Sequence, residues 1–280
     1  MKVCKANHLQ LVIGTWYLVI RAKQTLSQFI KKGKYMKQDI FTVTENVKIA
    51  PSVYKMRLES GVPAITKPGQ FINIKLDGFY LRRPISVYDL DEKGVTIIYK
   101  VVGKGTEYMA ALGKGTRLDI LTGLGNGYDV SCAGDAPLLL GGGLGVPPMY
   151  LLAKTLLAEG RTVTAVLGFN KKEEIFCADE FEKLGAKVIV TTADGSCGVK
   201  GLVTDAMKEL SYTHVFCCGP EPMLRAVYKK CKTSGQFSFE ERMGCGFGAC
   251  MGCSCKTITG SKRICKDGPV LFREEILWDA

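Results

Sequence analysis

This 280-residue chain lacks the signatures of several protein classes. It lacks a membrane-length segment near its N-terminus. The apolar run LQLVIGTWYLVI spans only 12 residues, counting Gln10, and a spanning helix needs about 18 or more. With its basic flanks the run resembles the apolar part of an export signal, yet no small-residue cleavage site follows it. The chain also lacks a basic stripe with interleaved aromatics, the footprint of a nucleic-acid surface. The formal net charge of +11 does not supply one. Residues 1–35 carry Lys2, Lys5, Arg21, Lys23, Lys31, Lys32 and Lys34 and no acid, and the remainder stands at +4. A mildly basic body does not require a polyanion partner. Internal repeats and low-complexity tracts are absent, so repeat architectures are excluded.

The acid-free segment 1–35 reads as an extension. Met36 is the expected natural start. The preceding Lys31-Lys32-Gly33-Lys34 would be encoded by a purine-rich stretch resembling a ribosome-binding site. The segment is then a mistranslated leader, with a peripheral membrane anchor as the alternative.

Cysteine is plentiful, with 12 residues in all. Cys132, Cys177, Cys197 and Cys231 are scattered, which suits a reducing cytoplasm. Cys245, Cys250, Cys253 and Cys265 are not scattered. They lie in GCGFGACMGCSCKTITGSKRIC with the spacing C-x4-C-x2-C, a gap, then C. That is plant-type spacing for a [2Fe–2S] cluster. Two irons need four thiolates, and a tight loop brings three of them together. Gly244, Gly246, Gly248 and Gly252 let that backbone approach the sulfides with its N–H groups. A disulfide framework fits poorly, because these cysteines crowd one segment of a long chain. A zinc site usually pairs two C-x2-C knuckles, and only Cys250/Cys253 forms one. Cys255 is open as a replacement for Cys253 or Cys265, although its pattern reads as a strand just past the loop.

Ahead of the cysteines the chain divides into two patterns. Residues 36–133 hold short β-branched or alternating runs, punctuated by Gly, Pro and Asp. They predict a small antiparallel barrel, with one helix at Thr106–Leu112. Residues 134–235 alternate strands such as APLLLGG and HVFCCG with helices such as PPMYLLAKTLLAEG, an amphipathic helix with proline at its start. That order predicts a parallel, doubly wound sheet. Residues 236–280 form a small cluster-bearing domain.

Four motifs carry chemistry. Leu81-Arg82-Arg83-Pro84-Ile85-Ser86 supplies a guanidinium fork suited to phosphate, though alone it is equally a basic turn. The strand through Ile98-Tyr99-Lys100 runs into Gly103-Lys104-Gly105-Thr106 and then a helix. Gly105 and Thr106 there offer N–H groups and a hydroxyl to a phosphate. Gly141-Gly142-Gly143-Leu144-Gly145 follows a strand and precedes a helix, the order of a pyrophosphate cradle, but ends in Pro147-Pro148. Cys218-Gly219-Pro220-Glu221-Pro222-Met223 ends another strand. Asp194-Gly195-Ser196 ends a further one, either as part of the crevice or as an ordinary turn.

At these motifs the chain resembles the ferredoxin–NADP reductase superfamily. The resemblance implies that Arg83, Pro84, Ile85, Ser86, Ile98, Tyr99, Lys100, Gly105 and Thr106 hold FAD. It implies that Gly141, Gly142, Gly143, Gly145, Gly219 and Pro220 hold the nicotinamide nucleotide. Cys218 then lies in the catalytic site, beside hydride transfer and not as a nucleophile. RRPIS, GGGLGVPPM, CGPEPM, EERMGCGFGAC and CKDGPVLF together resemble the electron-transfer subunits of dihydroorotate dehydrogenase B, over Met36–Phe272. That narrower resemblance favours Cys265 over Cys255 as fourth ligand. It implies a cytoplasmic oxidoreductase subunit of pyrimidine (UMP) biosynthesis. Electrons would pass from a separate FMN-containing catalytic subunit through [2Fe–2S] and FAD to NAD⁺, in a heterotetramer of two of each chain. Phe247 and Met251 would face the partner, or simply pack around the cluster. NAD is favoured over NADP because Gly168-Phe169-Asn170-Lys171-Lys172 offers no arginine. Neither nucleic acid nor stable membrane insertion is expected. Two rivals share parts of this pattern: a sulfhydrogenase-type or ferredoxin-dependent NAD(P) reductase subunit, and a non-catalytic iron–sulfur redox-sensing module without FAD.

Overall fold

The computed structural model describes residues 36–278. The leader reading of residues 1–35 lies outside the described residues. Among the described residues, no helix is long and apolar enough to cross a membrane.

The β-rich pattern folds as a closed antiparallel barrel. Its strands are β1 (Lys37–Ala50), β2 (Val53–Glu59), β3 (Phe71–Ile74), β4 (Arg83–Asp91), β5 (Gly94–Lys100) and β6 (Arg117–Leu124). They close in the order β1-β2-β5-β4-β3-β6. Alternation sends Phe41, Val43, Met56, Leu58, Ile72, Ile74 and Ile97 into a dry interior. Met109, on helix α1 (Lys104–Ala110), packs into the same interior.

The second pattern folds as a seven-stranded sheet. Its strands are β7 (Leu138–Gly142), β8 (Thr164–Phe169), β9 (Lys187–Thr192), β10 (Val199–Lys200), β11 (Val215–Cys218), β12 (Gly235–Ser238) and β15 (Val270–Phe272). The order is β10-β9-β8-β7-β11-β12-β15. All neighbours are parallel except β15, which runs antiparallel to β12. The order reverses at β7, so a crevice opens beyond its carboxyl end, between the loops after β7 and β11. The boundary expected at 235/236 falls inside β12. The sheet takes both β12 and β15 from the cysteine-bearing segment, and these strands anchor the loops that a small cluster-binding unit cannot hold alone. Between them lies a hairpin of β13 (Ser254–Thr257) and β14 (Gly260–Arg263).

Helix α2 (Val146–Ala158) joins the two halves. Pro147 and Pro148 open it, where no intrahelical N–H is required. Its sequence predicts one apolar face, yet it is buried on most sides, from Val146 to Leu156. The reason is that it is sandwiched: Leu152 and Leu156 pack on the sheet while Leu151 reaches the barrel core. Tyr150 stacks on Tyr88 of β4 at 4.3 Å, and Lys154 pairs with Asp89 at 2.7 Å. At the end of the barrel, the Tyr128 hydroxyl donates to the Cys217 carbonyl at 3.1 Å. Asp129 N–H donates to Gln236 Oε1 at 2.8 Å, and Gln236 Nε2 returns a bond to the Asp129 carbonyl at 2.9 Å. These contacts hold barrel and sheet at one orientation across the site.

Candidate functional site

Three cavities form one groove at the junction. The first, of about 370 Å³, is walled on the barrel side by Arg83–Ser86 of β4 and Ile98–Lys100 of β5. The second, of about 230 Å³, lies between the Gly142–Gly145 loop and Gly219-Pro220. The two share Lys100, Leu144 and Glu240, so they are continuous. The third, of about 310 Å³, continues past Gly143 to Asn170, Glu174, Thr191 and Met223.

The structure brings most of the sequence-derived residues to this groove and gives some of them different work. The Arg83 guanidinium lies over the Phe79 ring at 4.7 Å. It also covers Gly105, where a Cβ would stand 2.2 Å from its Nε. Gly105 therefore admits the arginine rather than lining the cavity. Thr106 reaches the cavity, but its hydroxyl is committed. It accepts from the N–H groups of Val102 (2.9 Å) and Gly103 (3.2 Å) and donates to the Gly103 carbonyl (2.9 Å). The helix turn consumes the group expected for a phosphate and leaves backbone N–H groups of its first turn available. Tyr99 points the other way from its neighbours, because strand side chains alternate. Its ring is buried in the barrel, stacked on Tyr54 at 5.8 Å, and its hydroxyl donates to Asn46 at 3.0 Å. Only its main chain faces the site.

The glycine loop is shaped by close approach. A Cβ at Gly145 would lie 2.0 Å from the carbonyl oxygen of Cys218, so the two nucleotide loops meet there. Gly141 lines none of the three cavities. It is covered by Val146, against which a Cβ would press at 2.9 Å. Asp194 and Ser196 form a local turn, with Asp194 Oδ1 accepting from the Ser196 N–H at 2.9 Å. They line no part of the groove.

Cys218 is buried at the floor where the first two loops meet the flavin-sized cavity. Burial, reinforced by Glu240, pushes its thiol up to about 12. A thiol with its pKa raised is neutral below that value and becomes charged only as pH rises through it. NADH-driven flavin reduction is therefore expected to show no thiol inflection below about pH 10. An inflection near the ordinary thiol range that vanishes in Cys218→Ala would refute this neutral role.

Two wall residues lie outside the set of expected site residues. Ser238 ends β12, and Glu240 follows it, bordering both the first and second cavities. Water reaches the Glu240 side chain, yet the cleft walls strip part of its hydration, and this burial raises its carboxyl above the ordinary range. The available sequence signal is the acidic run after a strand that ends beside Cys218.

The cysteines form two pairs. The Ala249 and Cys250 N–H groups donate to Cys245 Sγ at 3.2 and 3.5 Å, closing a loop around the first pair, Cys245 and Cys250. Burial opposes ionisation of Cys245, but donors from Cys250, Phe247 and Ala249 outweigh it and bring its thiol down to about 6. The Cys265 N–H donates to Cys253 Sγ at 3.4 Å, joining the second pair. Burial, then the neighbouring Cys253, pushes Cys265 up to about 12. Among the described residues, no three His, Cys, Asp or Glu side chains converge as a single metal ion requires. Two pairs are what a two-iron cluster needs, since each iron takes two thiolates and shares the sulfides. Cys255 lies in β13 opposite Lys262, within the hairpin and outside both pairs. Cys253 and Cys265 are buried in the same apolar cluster as Phe71, which also walls the flavin-sized cavity. Cys250, Phe247 and Met251 of the same loop are exposed.

Comparison with known proteins follows this division. Residues 240–277 match the family described as the iron-sulfur cluster binding domain of dihydroorotate dehydrogenase B. Residues 139–229 match the oxidoreductase NAD-binding domain. The dihydroorotate dehydrogenase B (NAD(+)) electron transfer subunit of Fusobacterium nucleatum is 44% identical over 257 residues, covering 86% of this chain and 99% of that protein. The corresponding subunit of Bacillus pumilus is 41% identical over 255 residues, covering 86% of this chain and 98% of that one. Among solved structures, a chain of an NADH-dependent reduced ferredoxin–NADP oxidoreductase superposes with a TM-score of 0.78 at 31% identity. It spans 86% of this chain and 91% of its own length.

Proposed function

Since the chain belongs to the family of electron transfer subunits of dihydroorotate dehydrogenase B, we propose that it draws electrons from an FMN-containing catalytic partner and passes them through [2Fe–2S] and FAD to NAD⁺. The reaction belongs to pyrimidine biosynthesis, as the family name implies. The continuity of the site carries this reading. The flavin-sized cavity opens on one side into the nucleotide groove through Lys100, Leu144 and Glu240. On the other side its wall includes Met243 and Pro269, which flank the two cysteine-bearing limbs.

Each part of the chain then has a task. Arg83 and the amides of the first turn of α1 hold the FAD pyrophosphate. Pro84, Ile85, Ser86, Ile98, Lys100 and the Tyr99 main chain form the bed for the ring. Gly142, Gly143, Gly145, Gly219 and Pro220 admit NAD, and Cys218 closes the floor beside it as a neutral thiol. Cys245, Cys250, Cys253 and Cys265 hold the cluster. FAD, when bound, supplies the exchange between single electrons and a hydride pair. The exposed edge at Phe247 and Met251 faces the catalytic subunit, in an assembly of two of each chain. The scattered cysteines outside the cluster segment, such as Cys132, Cys177, Cys197 and Cys231, suit a reducing, cytoplasmic setting.

The test is co-purification with the FMN subunit encoded in the same genome, then dihydroorotate-driven NAD⁺ reduction with the visible spectrum recorded. NADH formation that needs both chains, with flavin and cluster bleaching together, is the expected outcome. A chain that holds FAD and the cluster but is reduced by neither dihydroorotate nor the partner would point instead to ferredoxin. That second reading is favoured by the 31% likeness to the ferredoxin–NADP oxidoreductase chain, against 44% for the first.

Selection of NAD over NADP is assigned to Glu174. It walls the second and third cavities and is held by Asn170 Nδ2 at 2.9 Å. Lys171 and Lys172 line neither. A 2′-phosphate there would meet a carboxylate, a repulsion of about 1–2 kcal/mol in this solvated setting. Glu174→Gln is expected to raise kcat/KM for NADPH about tenfold relative to NADH. An unchanged ratio would remove Glu174 from this role.

A further inference from the structure

Asn73 is 1% exposed on β3, yet its amide is only half satisfied. Its Nδ2 donates to the carbonyl of Cys245 at 3.2 Å. Its Oδ1 is buried with no partner. An unpaired buried acceptor costs about 1–3 kcal/mol, so a purely structural position would favour an apolar residue of the same volume. The surroundings show what the amide does there. Asn73 pairs with Pro84 on the adjacent strand β4, beside Arg83 and Ile85 of the flavin-binding strand. On its other side lies the cysteine loop. A Cβ at Gly246 would come within 2.3 Å of Asn73 Nδ2, so that backbone rests directly on the amide. One residue thus sits on the strand that pairs with flavin-binding β4 and, through its side chain, touches the backbone of the first cluster ligand.

A second asparagine holds the other ligand-bearing limb. Asn126 Nδ2 donates to the carbonyls of Asp267 (3.0 Å) and Val270 (2.8 Å). Its Oδ1 accepts from the Val270 N–H at 3.2 Å, and its own N–H donates to Gly268 at 2.7 Å. This clasp is fully paired and secures the limb that carries Cys265. The Asn73 clasp consists of one bond and a close backbone contact, so its whole hold on Cys245 depends on one donor.

We propose that Asn73 is a positioning residue for electron transfer: its amide holds the Cys245 limb against β3, beside the flavin-binding strand β4, and so sets the placement of the cluster relative to the flavin. The proposal rests on the reading of Cys245 as a cluster ligand. It extends that reading by assigning the cluster–flavin geometry to a barrel side chain far away in sequence.

The experiment uses the anaerobic holoprotein with both cofactors bound. Asn73→Leu removes donor and orphaned acceptor together at similar volume, which leaves stability near neutral. Asn73→Asp keeps the shape but removes the donor and sets an acceptor against the Cys245 carbonyl. Flavin content and the rate of flavin reduction by NADH are expected to match wild type. Subsequent reduction of the cluster is expected to slow about tenfold or more, with an altered EPR signal of the reduced cluster in both variants. Wild-type cluster reduction and an unchanged EPR signal in both would overturn the proposal. So would loss of the cluster from both variants with flavin chemistry intact, since that marks a structural role only. Absence of any cluster signal from the wild-type protein would instead strike the underlying ligand reading.

Discussion

Cys265→Ser is expected to abolish dihydroorotate-driven NAD⁺ reduction in the two-subunit complex, while NADH oxidation with an artificial acceptor persists. Cys265 is buried and its N–H donates to Cys253 Sγ, so the two thiols form the inner pair. Loss of a hydrogen-bonding partner that merely orients a metal ligand typically costs about 10–100-fold. Loss of the ligand itself is expected to cost at least about 100-fold in cluster occupancy. The limb that carries Cys265 gives the flavin-sized cavity only Pro269 and the nucleotide groove nothing, the other walls coming mainly from β3 to β5, α1, the loops after β7 and β11 and residues 238–243. Cys255→Ser is the control. Its residue sits in a hairpin opposite Lys262, and that variant is expected to keep the cluster. Iron and sulfide content with EPR decides the matter. A cluster retained by Cys265→Ser and lost by Cys255→Ser would transfer the fourth ligand to Cys255.

Gly145→Ala is expected to lower the NADH-driven rate of flavin reduction about 100-fold without removing FAD or the cluster. The added Cβ would stand 2.0 Å from the Cys218 carbonyl oxygen and 2.6 Å from the Gly219 nitrogen. Both are backbone atoms, so no side chain can swing aside. The loop after β7 must separate from the loop after β11, and these are the two walls between which the nucleotide lies. Misplacement of reacting groups by about 1 Å typically costs about 100-fold in rate. Stopped-flow measurement separates the causes. A fall in the limiting rate indicates lost alignment, whereas a rise in KM alone would indicate weaker binding with intact alignment. Wild-type kinetics would show that the two loops tolerate separation.

The legible parts of this protein are those whose chemistry is local. A strand, a glycine turn and a proline-led helix follow one another within the residues from Leu138 to Ala158, and each step has its own residue preference. The spacing of Cys245, Cys250 and Cys253 is likewise set by how tightly a short loop turns. Sequence alone therefore determined the barrel followed by the parallel sheet and the glycine turn between strand and helix, and it narrowed the thiolates to Cys245, Cys250, Cys253 and Cys265 with Cys255 as an open alternative.

The tertiary structure decided what depends on packing across distance. Thr106 gives its hydroxyl to its own helix turn, because the backbone N–H groups of Val102 and Gly103 both converge on it. Tyr99 turns into the barrel because its strand alternates and the interior needs a large ring. Glu240 enters the site only because β12 joins the sheet beside β11. Asn73 meets Cys245 across 172 residues of chain, once barrel closure brings β3 under the cysteine loop. No periodicity or spacing encodes such a meeting. It arises from strand pairing, where neighbours in space are distant in sequence and the pairing as a whole selects which side chains share a wall.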